Sequence, residues 1–139
     1  QTFKTGELFA LLSTQSVLRH SMGDGWNEAA FDRGLDLALS RPERVASGLF
    51  SLRAEGLLHA LPGAAARAHL SGLLIGAELA GAKPYWLGQQ VKLIGAAKLA
   101  ALYSRALAAQ GVPSETLDAT ACTLAGLARL YLSLKGASK

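Results

Sequence analysis

Val91-Lys92-Leu93-Ile94-Gly95-Ala96-Ala97-Lys98 is the stretch on which the fold turns. Val91 and Ile94 are two of only six Val and Ile residues in the chain, and Gly95 closes the apolar run that they bound. A short run stopped by glycine reads as a buried strand feeding directly into a helix. Beyond it, Leu99, Leu102, Tyr103, Ala106 and Leu107 follow the i, i+3, i+4, i+7, i+8 spacing of an amphipathic helix. Gly111 is the expected C-terminal stop. A weaker second strand is predicted over residues 112–117. Asp118 then caps a last helix carrying Leu124, Leu127, Tyr131 and Leu134 before Gly136. The tail therefore reads helix–strand–helix–strand–helix, the order of a parallel α/β sheet.

Upstream the pattern is helical. Residues 1–4 look like the end of a strand, with Thr5 as the N-cap of a first helix and Glu7 in its first turn. A Gly/Ser/Asp loop covers residues 21–25, and Asn27 caps a second helix with Phe31, Leu35 and Ala38 on one face. Pro42 ends that helix and suits the first turn of the next. The third helix shows an apolar stripe of Phe50, Ala54, Leu57, Leu58 and Leu61, and Pro62-Gly63 stops it. The fourth is predicted over residues 64–82.

Composition agrees. Leu and Ala supply 53 of the 139 positions, Val and Ile only 6, and unbranched side chains keep their rotamer freedom in a helix where β-branched ones do not. The length suits one domain, residues 1–139. Yet two or three short strands are too few for a stable sheet buried by six helices. The expected fold class is therefore helix-rich α/β with an incomplete sheet, in a chain that is part of a larger protein. A dimer exchanging sheet edges, or a mainly helical bundle, would also account for the pattern.

Several function classes are excluded. The most apolar stretch, residues 64–82, is broken by Arg67, His69 and Glu78, whereas a spanning helix takes about 20 consecutive apolar residues. Gly72 and Gly76 within it therefore read as a site of close helix packing rather than membrane pairing. No signal peptide is visible. The net charge is +4, but the cations are scattered singly from Lys4 to Lys139, without the clustered face that nucleic acid requires. One cysteine, Cys122, forms no disulfide within the chain; among apolar helical neighbours it reads as a small buried hydrophobe.

No GxxxxGK[ST] loop, no GxGxxG after a strand and no GxSxG elbow occurs. His20, His59 and His69 lack metal-ligand spacing and read as structural. Two strand-to-helix turns remain. At Gly95-Ala96, small residues where a strand passes into a helix would let a ligand approach the backbone and the free N–H groups; tight strand–helix packing would explain them equally. At Thr5-Gly6-Glu7, capping is a sufficient account.

Read in order, Gln1-Thr2-Phe3-Lys4-Thr5-Gly6-Glu7-Leu8-Phe9-Ala10-Leu11-Leu12, Phe50-Ser51-Leu52-Arg53-Ala54, Leu70-Ser71-Gly72-Leu73-Leu74-Ile75-Gly76-Ala77-Glu78, Val91-Lys92-Leu93-Ile94-Gly95 and Tyr103 resemble the C-terminal half of the 2-dehydro-3-deoxygalactonokinases. The resemblance runs from residue 1 to about residue 134. It implies the C-terminal, nucleotide-side lobe of a two-domain, cytoplasmic sugar kinase of the hexokinase–actin (ribonuclease H-like) superfamily. It further implies ATP and Mg2+ as cofactors, and transfer of phosphate to the terminal hydroxyl of 2-dehydro-3-deoxy-D-galactonate in D-galactonate breakdown. The partners implied are the sugar acid and ATP, with a homodimer possible and neither nucleic acid nor membrane.

The Asp-Trp-Gly-Thr-Thr-like and Pro-Gly-Thr-His-like phosphate hairpins of such kinases are not found in these residues, and their catalytic carboxylate comes from the N-terminal domain. No catalytic residue and no metal ligand is therefore assigned here, and the chain is expected to be inactive alone. Gly95 and Ala96 align with the superfamily's adenosine motif, the second glycine being replaced by Ala96. Lys98 is a candidate nucleotide contact or simply a solvated lysine. Arg53 is a candidate for the substrate carboxylate, which a guanidinium binds bidentately, or for an ion pair with a helix carboxylate such as Glu78. Glu7 is the second substrate-side candidate. The rival reading is a helical interaction module without catalysis.

Overall fold

A computed structural model describes residues 1–136; Lys139, the last of the scattered cations, lies outside the described residues. The described chain is rich in helix, with one two-stranded parallel sheet. It forms two compact units, Gln1–Tyr85 and Trp86–Lys139.

The first unit is helical. It contains α1 (Thr5–Thr14), α2 (Glu28–Ser40), α3 (Val45–Leu58) and α4 (Gly63–Gly81), and α5 (Lys83–Trp86) follows at its end. Short 3-10 turns at Val17–Ser21 and Pro42–Arg44 punctuate the order. Asn27 caps α2 as expected, its Oδ1 accepting from the Ala30 N–H at 2.8 Å. Pro42 opens the 3-10 turn that leads into α3.

The central helix is α4, and α2 lies against it. Gly72 is what permits the approach: a Cβ added there would stand 2.8 Å from the Leu35 nitrogen and closer still to the Phe31 carbonyl. At Gly76 it would meet the Ala38 Cβ at 2.8 Å. The Gly72/Gly76 pattern thus marks helix–helix packing. Phe31, Leu35 and Leu73 are fully buried in this unit; each such side chain contributes about 1.5–3 kcal/mol through burial. Leu18, Leu52, Ala66, Leu70 and Leu74 form a second cluster, with Phe9, Leu12, Met22, Leu49 and Leu61 packed on it.

Three expectations for this unit fail. Residues 1–4 form no strand. Thr5 is not the cap of α1: Lys4 occupies that position with no capping bond from its side chain, and the Thr5 hydroxyl donates instead to the Glu78 carboxylate. The apolar stripe of α3 is on the wrong face, since Phe50 is 76% exposed and Leu52 only 1%. Leu and Gly are spread around this helix, so it has no strong period of its own. What selects the buried face is Gly48, where a Cβ would lie 3.3 Å from Leu73.

The second unit contains β1 (Val91–Ile94), α6 (Ala97–Ala108), β2 (Ser114–Leu117) and α7 (Ala119–Gly136). The strands pair in parallel, Val91 with Ser114 through Ile94 with Leu117, so α6 is the crossover that parallel pairing requires. Gly111 adopts φ +73° beyond the end of α6, the left-handed conformation that glycine takes without a Cβ penalty. Ala100, Ala106, Leu107 and Val112 are buried, and Ser114 donates to the Ser104 hydroxyl at 3.0 Å.

In α7 no described residue is buried, and Leu124, Leu127, Tyr131 and Leu134 are exposed. Leu99 of α6 is also exposed, although it matched the helical template. Cys122 is half-buried rather than buried. Among the described residues no helix is long and apolar enough to cross a membrane.

Candidate functional site

β1 and β2 end side by side, and each passes within two residues into a helix. Parallel pairing brings both strand-to-helix turns to one edge of the sheet, where α/β folds bind ligands. A cavity of about 440 Å³ opens there, lined by Gly95, Ala96 and Ala97 from the first turn and by Thr116, Leu117, Asp118, Ala119 and Thr120 from the second. Its volume falls within the ordinary range for small-molecule sites.

The two turns differ in chemistry. Ala96 stands at the N-cap of α6 with extended backbone (φ −62°, ψ 132°), and no side chain caps the helix. The first N–H groups of α6 therefore have no capping acceptor of their own, and they carry the positive end of the helix dipole. At the other turn Asp118 caps α7, its Oδ1 accepting from the Ala121 N–H at 2.6 Å. A Cβ placed on Gly95 meets no atom within 4 Å. Tight strand–helix packing is therefore not the reason for glycine at this position; the space beside it is open.

Gly95 and Ala96 line the cavity; Lys98, in the first turn of α6, is exposed and not among its lining residues. Thr116, Asp118 and Thr120 also line the cavity, and sequence reasoning alone does not single them out. The order of strands already placed the end of β2 beside Gly95, but Asp118 read only as a helix cap. Glu7 and Arg53 belong to the first unit. Glu7 pairs with Lys4 at 2.7 Å on an exposed surface, and Arg53 donates to the Ser21 hydroxyl at 3.4 Å.

The first unit has a smaller cavity of about 220 Å³, lined by Phe3, Lys4, Thr5, Leu8, Val45, Leu74, Ala77 and Glu78. It is mostly apolar and contains neither Glu7 nor Arg53. Of the histidines, His69 is structural: its Nδ1 lies 3.2 Å from the Ala30 carbonyl, joining α4 to α2. Burial holds its pKa below the ordinary histidine value. Among the described residues no group of three or more His, Cys, Asp or Glu could hold a metal ion.

A family model for 2-keto-3-deoxy-galactonokinase matches residues 1–130. A Rhizobium meliloti protein named "Probable 2-dehydro-3-deoxygalactonokinase" is 40% identical over 131 residues, covering 91% of this chain and 43% of the relative. The 2-dehydro-3-deoxygalactonokinase of Escherichia coli is 37% identical over 113 residues, covering 80% of this chain and 38% of that protein. A crystal structure from Sinorhizobium meliloti, described under the same kinase name, superposes with a TM-score of 0.89 at 37% identity; the match covers 96% of this chain and 46% of that one. The chain thus spans less than half the length of the relatives it matches. With matched segments running through both units, the chain belongs to the 2-keto-3-deoxy-galactonokinase family.

Proposed function

We propose that this chain is the nucleotide-side lobe, of hexokinase–actin type, of a kinase that transfers phosphate from ATP to 2-dehydro-3-deoxy-D-galactonate in the cytoplasm. The observation that carries the reading is the cavity at the carboxyl ends of β1 and β2, with open space at Gly95 and uncapped N–H groups at the start of α6. A backbone free of side chains admits a flat nucleoside closely, and free N–H groups favour its acceptor atoms. The family membership of the chain supports the same reading over that of a bare interaction module.

Within this division of labour the cavity residues bind and orient the nucleotide. Lys98, exposed one residue beyond the cavity, would add positive charge on the approach. Arg53 and Glu7 are the proposed substrate-side residues, Arg53 for the carboxylate of the sugar acid. Mg2+ would neutralise charge on the phosphates of the nucleotide when bound. Among the described residues no group of three or more His, Cys, Asp or Glu forms a cage for it. A phosphoryl-transfer site also takes a base near the acceptor hydroxyl and a clamp on the phosphates, and none of the cavity residues supplies both.

The test is a phosphotransfer assay on the purified chain with MgATP and 2-dehydro-3-deoxy-D-galactonate, beside a nucleotide-binding measurement. Weak binding of adenine nucleotide without turnover is expected. Turnover proportional to the concentration of the chain would contradict the division of labour.

A further inference from the structure

The two turns that line the larger cavity are both helix starts, but only the second carries a carboxylate, and this sets the direction in which a ligand lies. At Gly95-Ala96-Ala97 the wall is backbone: N–H donors at the start of α6, no carboxylate and no side-chain acceptor. At the second turn Ala119 and Thr120 open α7 and likewise bring backbone N–H groups, but Thr116, Asp118 and Thr120 add polar side chains, and Asp118 is the only ionisable group of that wall. One Asp118 oxygen is engaged by the Ala121 N–H. An ionised carboxylate only accepts, and its two oxygens together offer about four sites. A partner for Asp118 must therefore bring donors, and a phosphate at that end would meet like charge.

We propose that Asp118 selects the hydroxyl-bearing part of the ligand: it accepts from the ribose diol of an adenine ribonucleotide whose acceptor groups face the start of α6, making Asp118 a specificity residue for ribo- over deoxyribonucleotides. This rests on the nucleotide reading of the cavity and adds which end of the ligand meets which turn. Thr116 and Thr120 flank Asp118 in the lining; their hydroxyls both donate and accept, so they pair with either kind of group and do not set the ligand's direction.

The test measures binding of adenosine 5′-monophosphate, 2′-deoxyadenosine 5′-monophosphate and inorganic phosphate to the 139-residue chain and to D118N. Asn caps a helix about as well as Asp, so D118N keeps the start of α7 while removing the charge and half of the acceptor capacity; the amide spectrum of α7 checks this. The native chain is expected to prefer the ribonucleotide by about tenfold, the worth of a hydrogen bond to a charged group. D118N is expected to lose most of that preference and to bind inorganic phosphate better. Equal affinity of the native chain for the two nucleotides, or a preference unchanged in D118N, would overturn the inference while leaving the nucleotide reading intact. Failure of both nucleotides to bind would overturn both.

Discussion

The Thr5 hydroxyl donates a hydrogen bond to the Glu78 carboxylate, joining the first residue of α1 to the last turns of α4 across 73 positions of sequence. The bond fixes one end of α1 on the central helix, beside the small apolar cavity that both residues line. Thr5→Val keeps the shape of the side chain and removes the donor. A loss of about 1 kcal/mol is expected from a partly buried bond to a charged acceptor, with Thr5→Ser retaining most of it. Urea unfolding of the three proteins measures this, and a Thr5→Val chain as stable as the native one would refute it.

Gly72→Ala and Gly6→Ala should move stability in opposite directions. A Cβ at position 72 collides with the α2 backbone at Phe31 and Leu35, whereas at position 6 it meets nothing within 4 Å. Both substitutions gain about 0.5–1 kcal/mol of helix propensity. At Gly72 the overpacking cost, typically about 1–3 kcal/mol, outweighs it because the obstructing atoms are backbone. Denaturation midpoints are expected to fall for Gly72→Ala and to rise slightly for Gly6→Ala.

Burial lowers the pKa of His69 in the folded chain, with the Arg33 charge acting in the same direction and the Ala30 carbonyl and the Glu55 charge opposing. The folded state therefore favours the neutral ring. Below the ordinary value of 6.5 the unfolded chain takes up the proton more readily than the folded one, so folding stability decreases as the pH is lowered. The contribution is complete above about pH 6.5 and declines as the pH falls from there through the lower, folded-state pKa. Unfolding measured at intervals between neutral and mildly acidic pH should show this slope, and His69→Gln should flatten it.

Gly95→Ala separates packing from binding. Open space at Gly95, whose backbone is not in the left-handed region, means that a methyl group fits without displacing protein atoms. Stability is expected to stay within about 0.5 kcal/mol of the native chain, as for surface substitutions. Affinity for adenine nucleotide should fall several-fold, because the methyl group stands where the ligand approaches the backbone. A marked loss of stability would return Gly95 to a packing role.

Much of this molecule was legible from local signals. Asn27, Asp118, Gly111 and the β1-to-α6 turn each announce themselves within a few residues, since caps, left-handed glycines and strand ends depend on near neighbours. The failures lie where distant groups decide. Thr5 has the composition of a cap, but Glu78 takes its hydroxyl. The face of α3 is chosen by Leu73 of α4 meeting Gly48, not by the spacing of its own leucines. The site shows the same division. Gly95 and Ala96 stood out as a strand end, whereas Thr116, Asp118 and Thr120 join them only through the parallel register of two strands separated by α6.

If the carboxyl ends of β1 and β2 form the nucleotide half of a kinase site, backbone amide resonances of the chain followed during titration with ATP will report it residue by residue. Saturable shifts are expected at Gly95, Ala96 and Ala97 together with residues 116–120. Shifts confined to residues around Arg53, or none at saturating nucleotide, would contradict that assignment.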